Sequence, residues 1–143
     1  AAPAELASML TEPRHTLSIN TCTISQYAAL AALTGPQEPV DAMIEEYAER
    51  RAWLMPALSE AGFSYGHPGG AFYIYTNISS SGLSSPLFCE RLLQETGVML
   101  FPGTMFGDTS TDYIRISYLQ PLPLIQEAMQ RITSFTSRTR SVT

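Results

Sequence analysis

The stretch GVMLFPGTMFGDTSTDYIRIS, residues 97–117, organises the rest of the chain. It opens with a short apolar run that ends in a Pro-Gly turn, and after a polar loop residues 113–118 form a second strand-like run. Side chains alternate between the two faces of a strand, so Ile114 and Ile116 share one face and Arg115 lies on the other. If the isoleucine face packs on the core, Arg115 faces a cleft, a partner or water.

An arginine inside a strand admits two interpretations. A guanidinium on a rigid strand presents a planar fork of donors, which suits the bidentate binding of a carboxylate. The alternative is a surface arginine that faces solvent or forms a salt bridge. Taken by itself, this stretch favours the surface arginine.

The charge and length of the chain exclude several classes of function. The 143 residues carry a formal net charge of -5, with no basic patch of the kind that binds nucleic acid or an anionic membrane surface. No apolar run approaches the roughly 20 residues of a membrane-spanning helix, and residues 1–7 lack the basic and apolar regions of a signal peptide. We therefore predict a cytoplasmic protein with one domain over residues 1–136 and a polar tail over residues 137–143.

The basic residues, cysteines and histidines of the chain limit the reactions and metal sites that it can support. All eight basic residues are arginines and the chain has no lysine, so a reaction that needs a lysine amine, such as Schiff-base formation, cannot be done by this chain alone. Cys22 and Cys89 lie far apart in helix-like contexts, which favours two small buried hydrophobic residues over a disulfide. The two cysteines and two histidines lack the clustered spacing of a zinc site, and we predict no metal site.

Helix and strand signals alternate along the chain. Helical periodicity predicts helices over residues 4–10, 23–33, 38–61 and 85–96, and from residue 121 onward. Alternation and turn residues predict strands over residues 63–65, 71–76, 98–101 and 113–118. Pro13 is expected to end the first helix, and Pro56 to kink or divide the third near Ala52. This order predicts an α/β fold, a small mixed or mostly antiparallel sheet packed with helices.

Residue patterns within these helices predict which faces are covered. The alanine-rich helix over residues 23–33 is expected to be largely buried. In the third helix the polar residues, Arg50 included, are assigned to a solvated face, where Glu46 and Arg50 form an i,i+4 pair. Ser85 is the expected N-cap of the fourth helix, and the tail from Thr136 is expected to fray.

Five motifs stand in one order along the chain. They are SQYAALAAL at 25–33, ERR at 49–51, HPGGAFY at 67–73, GVMLFPGTMFG at 97–107 and YIRIS at 113–117. Together they resemble the C-terminal, small domain of a class I/II aminotransferase, one of the fold-type-I pyridoxal-phosphate-dependent enzymes related to aspartate aminotransferase. The family pattern is P-x-G-A-F-Y, then G-V-x-x-x-P-G-x-x-F-G, then an arginine strand. The matching residues are Pro68, Gly70, Ala71, Phe72, Tyr73, Gly97, Val98, Pro102, Gly103, Phe106, Gly107 and Arg115.

The resemblance, which runs over residues 1–132, implies a role for Arg115. In that family the arginine at this position binds the α-carboxylate of the amino-acid substrate. The resemblance therefore favours a carboxylate-binding Arg115 over a surface arginine. The parent enzyme would transfer an amino group between an amino acid and a 2-oxo acid, with pyridoxal phosphate as cofactor. The family's Schiff-base lysine and most of its phosphate site belong to a large domain that this chain lacks. The fragment alone is therefore expected to be inactive, with no catalytic or cofactor-binding residue of its own, and the intact enzyme to be a homodimer.

Other functions are compatible with the same residues. One is a stand-alone, non-catalytic module that reuses this fold for carboxylate binding or protein interaction. Another is a part of a pyridoxal-phosphate-dependent lyase or of a transcription regulator, since such proteins share these motifs. The absence of lysine does not separate the fragment from the stand-alone module, because either explains it.

Overall fold

The computed structural model describes residues 3–107 and 109–140. The chain divides into two units, Ala1–Asp41 and Ala42–Thr143. The assignment of one domain to residues 1–136 is not tested by this division and stays a prediction.

The first unit is helical. Helix α1 covers Ala4–Leu17 and helix α2 covers Thr23–Thr34. Pro13 lies inside α1 and does not end it; a proline removes a single donor, and the Ser18 amide still closes the last turn on the Arg14 carbonyl at 2.8 Å. No residue of α1 or α2 is buried, so the prediction of a largely buried second helix was wrong. A helix face is buried only where another element packs on it. Periodicity identifies the apolar face of a helix but not whether such an element is present.

The second unit is built on a four-stranded antiparallel sheet. Its strands are β1 (Ser64–Tyr65), β2 (Tyr73–Asn77), β3 (Phe101–Pro102) and β4 (Tyr113–Ser117), in the spatial order β1-β2-β4-β3. Strand β3 is shorter than the predicted strand over residues 98–101 and lies at the edge of the sheet. The predicted fold class, α/β with a small, mostly antiparallel sheet packed with helices, is confirmed.

Three helices complete this core. They are α3 (Glu38–Glu60), α4 (Ser85–Thr96) and α5 (Leu122–Arg140). The side chains at the centre of the core have almost no exposed surface; they are Leu54, Leu58, Ile74, Phe88, Leu92, Ile114, Ile132 and Phe135. The isoleucine face of β4 is therefore the core face, as the alternation predicted.

Helix α3 differs from the prediction at two positions. It is one helix through Pro56, with no division near Ala52. Arg50, which was assigned to the solvated face, is only 6% exposed. It forms the predicted ion pair with Glu46 and also donates a hydrogen bond to the Leu119 carbonyl at 2.5 Å. The long side chain of an arginine reaches across a helix face, and here it meets the chain just after β4.

The ends of α4 and α5 also differ from the prediction. Ser84, not Ser85, is the N-cap residue of α4. Helix α5 continues to Arg140, with Thr136 and Thr139 buried, where a frayed polar tail was expected from Thr136. Each threonine hydroxyl donates to a carbonyl of the preceding turn, which satisfies it inside the helix. Residues 141–143 of the predicted tail lie outside the described residues.

None of the described helices combines the length and the apolar content needed to cross a membrane. The two cysteines are free and differ sharply in environment. Cys22 is exposed, which contradicts its predicted burial, and hydrogen bonds from the Ser25 and Ile24 backbone lower the pKa of its thiol. Cys89 is buried as predicted, and burial raises the pKa of its thiol to about 11.

The two thiols are expected to react at different rates with iodoacetamide at pH 8. The thiolate is the nucleophile; the lowered pKa of Cys22 favours it, whereas the raised pKa of Cys89 keeps that thiol protonated until the pH approaches 11. Peptide mass spectrometry after timed alkylation should find Cys22 modified first and Cys89 modified only when denaturant is added. Equal rates in the native chain would contradict this difference in environment.

Candidate carboxylate-binding site

The site begins with the position of Arg115 in the middle of the sheet. Arg115 lies on β4, opposite Tyr75 of β2 on one side and opposite Phe101 of β3 on the other. Its neighbours Ile114 and Ile116 are 0% and 4% exposed. Because both isoleucines point into the core, Arg115 points away from it, and it is half-buried.

Three aromatic rings surround the guanidinium of Arg115. Its Cζ atom lies 3.7 Å from the ring centroid of Phe106, 4.2 Å from that of Tyr73 and 5.7 Å from that of Phe101. All three distances are within the roughly 6 Å range of a cation–π contact. We refer to Tyr73, Phe101 and Phe106 as the aromatic cage.

Within residues 3–107 and 109–140, no carboxylate forms an ion pair with Arg115. The ion pairs of that part of the chain belong to other arginines, namely Arg50, Arg91, Arg131 and Arg138. No hydrogen bond from the Arg115 guanidinium to another described residue is present either. The described residues thus leave its in-plane N–H groups available for an external anion.

The turn after β3 carries the third ring of the cage. Residues Gly103–Phe106 form one 3-10 turn, and Gly107 ends it with φ +85°, a left-handed conformation that suits glycine. Gly103 is buried, and a Cβ atom at this position would lie 2.1 Å from the Tyr75 hydroxyl and 3.0 Å from the Tyr113 carbonyl. The missing side chain lets the turn approach the sheet, which brings Phe106 against Arg115.

Gly103→Ala is therefore expected to destabilise the chain by about 1–3 kcal/mol, the usual cost of overpacking. The added methyl must displace either the Tyr75 ring, which stacks on Tyr113 at 5.2 Å, or the turn itself. Gly69→Ala is the matched control, since no atom lies within 4 Å of the Cβ it would add, and we expect it to change stability by less than about 0.5 kcal/mol. Urea unfolding monitored by circular dichroism measures both; equal midpoints would contradict the close approach.

An open cleft adjoins the site at the edge of the sheet. It has a volume of about 530 Å³ and is lined mainly by apolar side chains. The residues that line it include Phe101 of β3, Arg115 and Ile116 of β4, and Ile125 and Met129 of α5. Because core residues such as Ile116 and Met129 also line the cleft, an apolar space lies next to the strand that carries Arg115.

Sequence reasoning singled out Arg115 but missed the aromatic cage. Side chains alternate along β2, so Tyr73 shares a face with Tyr75, and a pairing of β2 with β4 could have brought Tyr73 beside Arg115. Phe106 lies in a turn, and a turn has no repeating side-chain pattern from which the direction of the ring could be predicted. His15 and His67 take no part in the site, and no group of metal-binding residues is found among the described residues.

Comparison with known proteins identifies the chain's relatives. Residues 1–132 match the family model for aminotransferase class I and II. The chain is 40% identical over 116 residues to the putative aminotransferase YugH of Bacillus subtilis, covering 81% of this chain and 30% of that protein. It is 37% identical over 138 residues to the aspartate aminotransferase of Bacillus sp. strain YM-2, covering 92% and 35%.

Solved structures show the same relationship. The aromatic aminotransferase of Pyrococcus horikoshii superposes with a TM-score of 0.88 at 34% identity, over 96% of this chain and 38% of that one. An aminotransferase from Mycobacterium tuberculosis gives a TM-score of 0.88 at 31% identity, over 96% and 36%. This chain spans about a third of the length of these relatives: 30% and 35% of the two Bacillus proteins.

Proposed function

This chain belongs to the class I and II aminotransferase family, and from that membership we propose that it is the part of a pyridoxal-phosphate-dependent aminotransferase that binds the substrate α-carboxylate through Arg115. The intact enzyme would transfer an amino group between an amino acid and a 2-oxo acid. The family match and the position of Arg115 in the site support this function.

A single observation carries the proposal. The guanidinium of Arg115 stands on the open face of the sheet, within 3.7 Å of the Phe106 ring centroid, and no described residue forms an ion pair with it. Such a fork binds a carboxylate through two parallel hydrogen bonds, which fixes the orientation of the ligand as well as its position. In the proposed enzyme, Arg115 would orient the substrate, and the rings around it would exclude water from this contact.

The residues of this chain do not fit the cofactor. Pyridoxal phosphate is attached in such enzymes through a lysine Schiff base, and this sequence contains no lysine among its eight basic residues. As part of the proposal, its attachment belongs to a portion of the enzyme outside these residues, and this chain alone would not transaminate. A homodimer and a cytoplasmic location remain part of the same proposal for the intact enzyme.

The decisive experiment compares the product of the complete gene with residues 1–143 alone. Each is incubated with pyridoxal phosphate, then assayed with acidic, aromatic and aliphatic amino acids and a 2-oxo acid acceptor. We expect amino transfer by the complete product and none by the isolated chain. Borohydride reduction followed by peptide mass spectrometry should find a lysine adduct in the complete product, and at most an N-terminal adduct in residues 1–143.

Three outcomes would contradict the proposal. Elimination or decarboxylation without amino transfer would favour a lyase of the same family. A complete product that carries a DNA-binding segment and does not turn over amino acids would favour the regulator. A gene that encodes these residues alone would favour the stand-alone binding module.

A further inference from the structure

We propose that the aromatic cage positions Arg115 for the substrate carboxylate, with Phe106 as its principal positioning residue. This inference rests on the proposed function of Arg115 and concerns how that side chain is held. An arginine side chain has many rotamers, and a binding contact that must first order it loses affinity. The cage orders the side chain before the ligand arrives.

The kind of group that contacts the Arg115 guanidinium decides whether its in-plane N–H groups stay available for the substrate. A carboxylate neighbour would hold a guanidinium through the same in-plane N–H groups that a substrate carboxylate needs. An aromatic ring instead attracts the cation through its face and accepts none of those in-plane bonds. Among the described residues the partners of the Arg115 guanidinium are rings. Substrate binding therefore displaces no anion contributed by those residues.

Each ring is itself held in place. Tyr73 lies on the central strand β2 and packs on Phe72 with ring centroids 4.4 Å apart. Phe101 is fixed opposite Arg115 by the pairing of β3 with β4. Phe106 meets Phe101 edge to face at 6.5 Å. The cage is thus built on elements of the sheet and on the turn packed against it, as a preorganised site requires.

Phe106 is the most informative ring to change. It is the closest to the guanidinium, at 3.7 Å, and it is 46% exposed, so its replacement disturbs little of the core. Phe106→Leu removes the ring but keeps an apolar side chain. Phe106→Met is a second ring-free variant, and Phe106→Tyr restores the ring. Met105→Leu is the matched control, because Met105 lies in the same turn, is 65% exposed and makes no ring contact with Arg115.

The experiment uses the complete enzyme and two substrates, an α-amino acid and the corresponding amine without the carboxylate. We expect Phe106→Leu and Phe106→Met to raise the KM for the amino acid about fivefold, with kcat changed less than about twofold, because the lost contact is made in the ground state and the transition state alike. Phe106→Tyr and Met105→Leu should stay within about twofold of the parent. Single-turnover rates with the amine should be the same in all variants.

The results separate this inference from the proposed function. If Arg115→Ala leaves the KM for the amino acid unchanged, the carboxylate-binding role of Arg115 is wrong. The positioning role of the aromatic cage is then wrong as well. If Arg115→Ala raises the KM but both ring-free variants behave like the parent, Arg115 binds the substrate and the positioning role is wrong. Equal losses with the amino acid and the amine would show a general disturbance of the turn, which also overturns the inference.

Discussion

Arg115→Ala is expected to lower kcat/KM of the complete enzyme for α-amino acids by about 10²- to 10³-fold. In the proposed role of Arg115 the substitution removes a charged, bidentate contact with the substrate, and losing one partner of such a pair costs about 2–5 kcal/mol. Because the proposed contact would both bind and orient the substrate, we expect KM to rise and kcat to fall together. Steady-state kinetics over a range of amino-acid concentrations measure the two effects separately.

Two further arginine variants sharpen this test. Arg115→Lys keeps the charge but not the planar fork, so its kcat/KM should lie between those of the parent and the alanine variant. Arg138→Ala is the matched control, since the Arg138 side chain is 59% exposed and its ion-pair partner is Glu95 at 3.4 Å; it should leave kcat/KM unchanged. Unaltered kinetics in Arg115→Ala, in a variant that melts like the parent, would disprove the assignment.

Phe88→Ala is expected to destabilise the chain by about 3–5 kcal/mol, as large-to-small substitutions of a buried phenylalanine do. Phe88 is 0% exposed. It meets Phe63 edge to face at 6.0 Å and Phe135 at 5.3 Å, so one ring joins α4 to α5 and to the chain just before β1. A loss of this size approaches the whole stability of many domains, about 5–15 kcal/mol.

Denaturant unfolding measures this loss directly. Leu87→Ala is the matched control, because Leu87 is the preceding residue of the same helix and is 43% exposed; its effect should stay below about 1 kcal/mol. If Phe88→Ala does not fold at all, Phe88→Leu should fold with an intermediate loss. Similar losses at residues 87 and 88 would contradict the observed core.

The local patterns of the chain predicted its class of fold and the face on which Arg115 lies. Strand alternation placed Ile114 and Ile116 together, and the structure buries both. Helical periodicity located α2 and α4 to within a residue. These are short-range regularities, which a sequence records because neighbouring residues in one element share a geometry.

The same patterns were wrong for several residues whose surroundings come from another element. Arg50 was predicted to face solvent. It is buried, because its side chain reaches the carbonyls that follow β4. Thr136 was expected to fray and is buried within a continuous helix. Periodicity distinguishes the faces of an element but not what covers each face.

Arg115 shows both what the sequence could predict about the candidate site and what it could not. The sequence by itself determined the covalent chemistry available to the chain, since it contains no lysine, and it placed an arginine on the outer face of a strand. Only the tertiary structure decided what meets that arginine, because the strand pairing and the close approach of Gly103 to Tyr75 bring Tyr73, Phe101 and Phe106 around it. Contacts between residues distant in the chain depend on how whole elements pack, and packing is a property of three-dimensional shape that no local pattern carries.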